Sequence, residues 1–316
     1  MSKYRNDLPQ LRDEIFLTDG GLETTLLFHE GLDLPGFTTF PLFYNEKAVA
    51  VMREYFRRHA SLAQANEFGF ILESATWRSN LDWGAKLGYT PEMLADANRR
   101  AIAMLADVRR EFETPLSKIV ISGCVGPRGD GYVPSRLMSA KEAQEYHSAQ
   151  IRTFSETEAD MISAMTLNYV EEAVGIARAA RFFGMPCAIS FTVETDGRLA
   201  GGVSLKAAIE AVDRATGSAP AYYMINCAHP THFAEVLTGG EAWTQRIRGI
   251  RANASSKSHA ELDDSAELDT GNPRELGGQY CELLGKLKNL TVLGGCCGTD
   301  FRHIKAICSA VRQQKG

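Results

Sequence analysis

Leu290-Thr291-Val292-Leu293-Gly294-Gly295-Cys296-Cys297-Gly298-Thr299-Asp300 is the stretch whose reading decides the fold. Apolar and β-branched residues run into two glycines, two adjacent cysteines, a third glycine and an Asp suited to starting a helix. That is the pattern of a short buried strand emptying onto a loop. Flanking glycines let the backbone bring both sulfurs to one point, which suits a soft metal. A third thiol completes a zinc site with one open position. The best candidate is Cys227, at the end of another apolar run, Tyr222-Tyr223-Met224-Ile225-Asn226.

Working outward, strand-like segments are expected at 14–17, 68–72, 118–122, 160–162, 187–193, 222–226, 247–252 and 290–293. Helical patterns alternate with them at 46–65, 92–112, 139–157, 168–183, 205–216, 273–288 and 300–313. Pro91 stands where its missing N–H costs nothing, Ser139 and Glu142 have capping-box spacing, and Gly184 is a stop signal. Strict alternation of β and α elements points to a parallel sheet. Eight units in this length match a single closed (β/α)8 TIM barrel, read as one domain over 1–316. An open doubly wound sheet is the alternative, but no Gly-x-Gly-x-x-Gly follows the first strand.

The composition is that of a globular chain with a sizeable core, at 44% hydrophobic and 23% charged residues. A net charge of −5 gives no reason to expect nucleic acid or an anionic membrane surface as partner. The N-terminus has no apolar signal-like region, and no run of apolar residues is long enough to span a bilayer. Seven cysteines, an odd number, then read as reduced cytoplasmic thiols with a metal or catalytic role rather than a disulfide framework. Homo-oligomerisation is left open.

In such a barrel the loops after the strands open onto one face, where chemistry gathers. The strand ends offer Asp19, Glu73, Cys124, Met165-Thr166, Glu194, Cys227, Asn253 and Cys296-Cys297. Strands six and eight are separated by one strand, so Cys227 and the vicinal pair can converge as a three-cysteine zinc site. A substrate thiol taking the fourth place would lose its proton and remain electron-rich enough to attack carbon. The vicinal pair also admits a redox disulfide. Cys124, Cys187, Cys281 and Cys308 read as small buried hydrophobes. Asp19 is either a turn carboxylate or a partner for a substrate ammonium. Glu73 and Glu194 are similar, with Arg78, Arg198 or another cation as structural partners. His229 and His232 read as loop or helix-start residues rather than ligands, and Asn226 as a residue that orients its loop. Trp77, Tyr44 and Trp83 are candidates for a cation–π wall around a methyl-onium group or for core packing. Gly294, Gly295 and Gly298 with the helix start at Thr299-Asp300 offer N–H donors for a carboxylate.

Thr18-Asp19-Gly20-Gly21, Asn226-Cys227 and Gly294-Gly295-Cys296-Cys297-Gly298-Thr299 resemble three signatures of the zinc-dependent homocysteine S-methyltransferase family. That family includes betaine–homocysteine and S-methylmethionine–homocysteine methyltransferases. The resemblance implies a (β/α)8 barrel with Cys227, Cys296 and Cys297 as Zn2+ ligands. It implies that Asp19 meets the amino group of a thiol amino acid. Gly20, Glu73, Trp77, Thr166, Glu194, Asn226 and Gly295 are the other residues expected around the substrates. The expected reaction moves a methyl group from a small onium donor (S-methylmethionine, S-adenosylmethionine or a betaine) to a metal-bound small thiol, homocysteine giving methionine. There are departures. Met165-Thr166 stands where the family commonly has Glu-Thr, Glu73 where it tends to have neutral polar residues, and Arg251-Ala252-Asn253 where it has a Gly-containing turn. These imply a rearranged amino-acid pocket or a different thiol acceptor. A thiol- or zinc-binding protein without transferase activity is the reading from another class.

Overall fold

The computed structural model describes residues 2–134, 137–237, 240–265 and 267–315. Its centre is a closed parallel barrel of β1 (Phe16–Leu17), β2 (Gly69–Glu73), β3 (Ile119–Val125), β4 (Met161–Leu167), β5 (Cys187–Phe191), β6 (Tyr222–Asn226), β7 (Ile247–Ala252) and β8 (Val292–Gly295). The strands pair in sequence order, and β8 closes on β1 through Phe16–Val292 and Leu17–Leu293. The expected (β/α)8 architecture is therefore present.

Alternation along each strand sorts side chains into two cores. Phe70, Leu72, Ile119 and Ile121 face outward into the shell shared with the helices. Phe16, Ile71, Val120, Met161, Tyr222, Met224 and Val292 point inward and fill the barrel. Strands buried on both faces read as continuous apolar runs, which is why most of them were visible in the sequence. β7 looks polar partly because of Gly249, where a Cβ would lie 2.7 Å from the Met224 side chain.

The long helices Glu46–Ala65 and Pro91–Phe112 lie where the periodicity places them, capped by Asn45 and Thr90. The Ser139–Glu142 capping box is formed, and Gly184 takes a left-handed φ of 66°. Several boundaries differ from expectation. β4 continues to Leu167, so Met165 and Thr166 belong to the strand rather than to a following loop. β5 ends at Phe191, three residues before Glu194. Between β6 and β7 the described residues form only the short helix Pro230–Phe233 and the 3-10 turn Ala242–Arg246.

The opposite end of the barrel is closed by the N-terminal segment, with Leu8 against the inner core. Asp160 organises that end. Its carboxylate accepts from the backbone N–H groups of Lys3 (2.7 Å), Tyr4 (2.8 Å) and Ile121 (2.9 Å) and from Arg109 (2.8 Å). No described helix is long and apolar enough to cross a membrane.

Candidate metal and substrate site

β6 ends at Asn226 and β8 at Gly295, so Cys227 and Cys296 each follow directly on a strand end. Only β7 separates them, with Arg251 in register with both Asn226 and Gly294. The sulfurs of Cys227, Cys296 and Cys297 lie within 4.8 Å of one another. Cys227 and Cys296 are joined as a disulfide with Cα atoms 5.4 Å apart. The Cys297 sulfur is free and 4.0 Å from that of Cys227. The bond thus runs across the barrel mouth, not within the vicinal pair, which corrects the reading of a Cys296–Cys297 disulfide.

The donor set fits zinc. Tetrahedral Zn–S bonds of about 2.3 Å put sulfurs about 3.8 Å apart, and the Cys227–Cys297 separation is already close to that. Once the Cys227–Cys296 bond is reduced, three soft donors share one corner with a cavity on their open side. Burial pushes the Cys297 thiol up to about 11, with Glu23 adding to the effect.

Each sulfur also has a neighbouring donor. The Thr166 hydroxyl is 3.9 Å from Cys227, the Asn226 amide 3.9 Å from Cys296 and the Tyr132 hydroxyl 3.8 Å from Cys297. Asn226 orients the loop as expected. Its Oδ1 accepts from the Thr166 backbone N–H (2.9 Å) and the Ser190 hydroxyl (2.6 Å), and its Nδ2 donates to Thr166 Oγ1 (2.8 Å). These bonds hold two strained residues, since Thr166 (φ 62°) and Cys227 (φ 53°) both sit in the left-handed region. The Cys227 carbonyl is fixed from the far side by His259 Nε2 (2.6 Å) and Asn253 Nδ2 (3.1 Å). His259 stacks on Tyr132 with ring centroids 4.1 Å apart.

The acidic floor of the site is organised by Arg251. It donates to Glu73 Oε2 (2.6 Å), Asp19 Oδ1 (2.8 Å), the Gly20 carbonyl (3.1 Å) and the Gly295 carbonyl (3.0 Å). Burial disfavours the guanidinium charge, but Asp19 and Glu73 outweigh it and raise its pKa. Burial raises the Glu73 carboxyl, with Arg251 and the Ser163 and Ser122 hydroxyls working against it. Tyr55 donates to Asp19 Oδ2 (3.1 Å). The cation beside Glu73 is therefore Arg251 rather than Arg78. Asp19, expected at a substrate ammonium, has one oxygen on Arg251 and the other on Tyr55.

A cavity of about 400 Å³ opens above this floor, lined by Asp19, Gly20, Glu73, Trp77, Met165, Thr166, Asn226 and all three cysteines of the cluster. Trp77 lines it with its Nε1 donating to the Met165 carbonyl (3.2 Å). Tyr44 is 41% exposed and bonds the Met93 carbonyl away from the cavity. Trp83 is also outside, its face taken by Arg78 (4.2 Å) and Lys86 (4.0 Å). Both leave the proposed cation–π wall. Glu194 does not line the cavity and faces His259 Nδ1 at 3.4 Å.

His229 caps the Pro230–Phe233 helix and His232 bonds the Ser256 carbonyl, so neither joins the sulfurs. The N–H groups expected to serve a carboxylate are committed internally. Gly295 donates to Asp19 O, Gly298 to Thr24 Oγ1 and Thr299 to Cys296 O. Of the four other cysteines, Cys187 and Cys308 are buried, Cys281 is half-buried, and Cys124 lines the cavity.

Four residues of this site were not singled out from the sequence: Glu23, Tyr132, His259 and Tyr55. Only His259 had a local signal, the Ser258–Glu261 capping box that starts its helix. Arg251 was noted as a departure, without its inward direction.

Comparison with known proteins agrees with this architecture. The chain is 25% identical over 336 aligned residues to methionine synthase of Mycobacterium leprae (strain TN). The match takes in 98% of this chain and 25% of that protein, so the chain spans about a quarter of the relative's length. Two crystal structures of the homocysteine methyltransferase MmuM from Escherichia coli share the fold at 16% identity. The metallated form superposes with a TM-score of 0.74 over 96% of this chain and 98% of that one. The oxidized form gives 0.73 over 97% and 99%. The family model for homocysteine S-methyltransferase matches residues 16–311, and the chain belongs to that family of thiol methyltransferases.

Proposed function

We propose that this chain is a zinc-dependent S-methyltransferase that moves a methyl group from a small onium donor to a small thiol. The observation that carries the reading is the convergence of Cys227, Cys296 and Cys297 at the mouth of the barrel beside a cavity. Bound by these three sulfurs, zinc would supply a field that favours the thiolate form of an acceptor sulfur. The chain's own residues do the rest. Asn226 and Thr166 hold the Cys227 turn, Tyr132 sits on Cys297, and Trp77 and Met165 line the cavity with apolar surface. In the transfer, the acceptor sulfur forms a bond to the methyl carbon as the donor's C–S⁺ or C–N⁺ bond breaks. The electron pair of that bond leaves with the donor as a neutral sulfide or amine, and the acceptor's thiol proton has already gone to solvent.

The names of the relatives bring homocysteine, with methionine as product, as the first acceptor to assay. S-methylmethionine, S-adenosylmethionine and a betaine are the donors to pair with it. The test combines metal content with turnover. Reduced protein should hold about one zinc per chain, Cys297→Ser should lose it, and turnover should vanish with the metal. Full methyl transfer by metal-free protein would overturn the reading.

A further inference from the structure

A charged substrate needs a counter-charge near the sulfurs, and the two deepest carboxylates of the cavity are spoken for. Asp19 and Glu73 both bind Arg251, which commits four N–H bonds to them and to the Gly20 and Gly295 carbonyls. Drawing either carboxylate to a ligand would break a buried ion pair and strand its partner, a strongly unfavourable exchange. Met165 beside them carries no charge.

Glu23 differs. It lines the same cavity, is only partly buried, and has no hydrogen bond or ion pair from a side chain of the described residues. The turn that carries it, Leu22–Thr24, is fastened to the cysteine loop. Gly21 N–H donates to the Thr299 carbonyl (3.0 Å), and Thr24 Oγ1 accepts from Gly298 N–H (3.3 Å). Glu23 is thus held in the wall of the cavity that Cys297 also lines.

We propose that Glu23 is the specificity residue that holds the cationic centre of a substrate, an ammonium or an onium, while Arg251 withdraws Asp19 and Glu73 from that role. This rests on the thiol-methylation reading above and assigns its charge recognition to one side chain. Two sources share the chemistry: the amino group of an acceptor and the onium group of a donor.

The experiment compares reduced wild-type protein with Glu23→Gln in two arms. In the acceptor arm, cobalt(II)-substituted protein is titrated with homocysteine and with 4-mercaptobutanoate, which is homocysteine without its amino group; sulfur-to-metal absorption gives each affinity. In the donor arm, S-methylmethionine and glycine betaine are titrated by calorimetry against the zinc protein.

Glu23→Gln should weaken one cationic ligand class by about tenfold or more, leave 4-mercaptobutanoate within about twofold, and keep a full complement of metal. A loss confined to homocysteine assigns the acceptor's ammonium, and one confined to the donors assigns the onium. Equal change for charged and uncharged ligands, or none for any, overturns the proposal. If neither thiol perturbs the cobalt spectrum, the thiol-binding reading itself fails, while the donor arm still reports on Glu23 alone.

Discussion

Asn226 shows how one amide can hold a metal site together. Its two ends bind the Thr166 backbone and hydroxyl, and both Thr166 and its neighbour across the site, Cys227, adopt left-handed backbone angles that side chains ordinarily avoid. Asn226→Ala removes these bonds and the amide's contact with the Cys296 sulfur, but no ligand. It should weaken zinc binding by about 10- to 100-fold, as loss of a ligand's supporting partner does elsewhere. Competition with a chromogenic chelator measures this, and unchanged affinity would show that the strained turn holds itself. The thiols set a second expectation. Free Cys297 is pushed up to about 11 by burial, so it carries a proton throughout the neutral range and must release it to bind metal. Zinc affinity of the reduced protein should therefore rise with pH, by at least about one log unit per pH unit from 6 to 9. The same competition assay, repeated across pH, gives the slope, and a flat profile would contradict a thiol ligand at this position.

Among the elements, the clearest structural prediction lies at the end of the barrel opposite the sulfurs. Asp160 gathers three backbone N–H groups and Arg109 around a fully buried carboxylate, tying the N-terminal segment, β3 and the Pro91–Phe112 helix to the first residues of β4. Asp160→Ala leaves the Arg109 side chain, itself only 6% exposed, with Glu158 alone. Breaking such a buried pair costs about 3–5 kcal/mol, which urea unfolding should report while metal binding by folded protein stays unchanged. Legibility in the sequence varied among the elements for physical reasons. The apolar runs of β2, β3 and β6, and helices with Asn45, Thr90 or Ser139 as caps, carry their pattern locally. β4 was read short because Ser163, Ala164 and Thr166 weaken the apolar signal, yet Ser163 is there to meet Ser122 (2.7 Å) and Glu73 across the barrel. The cysteine trio was legible because strand order alone brings Cys227 and Cys296 together. The partner of Asp19 and Glu73 was not, because inward direction on β7 follows from register around the whole sheet. Tyr132 was invisible for another reason: it reaches Cys297 from the segment after β3, where no periodicity marks a side chain's target.

For the molecule as a whole, the sulfur cluster does more than prepare a reaction. Cys227 and Cys296 stand on either side of β7, so any bond between them, through a metal or directly as the disulfide, fastens β6 to β8 across β7 at the barrel mouth. The two fastenings exclude each other, because a sulfur engaged in the disulfide has no thiolate to offer zinc. Zinc binds the reduced folded chain through residues that meet only in the fold, so it should stabilise by mass action. At free metal about a thousandfold above the dissociation constant the gain is about 4 kcal/mol, on the order of 5–10 °C in Tm for a chain of this size. Calorimetric scans should therefore show Tm of the reduced protein climbing with zinc and falling back with a chelator. Protein carrying the Cys227–Cys296 disulfide should melt at one temperature whatever the zinc concentration. A zinc-dependent Tm that survives oxidation would place the metal on other ligands and detach the β6–β8 fastening from the chemistry at the barrel mouth.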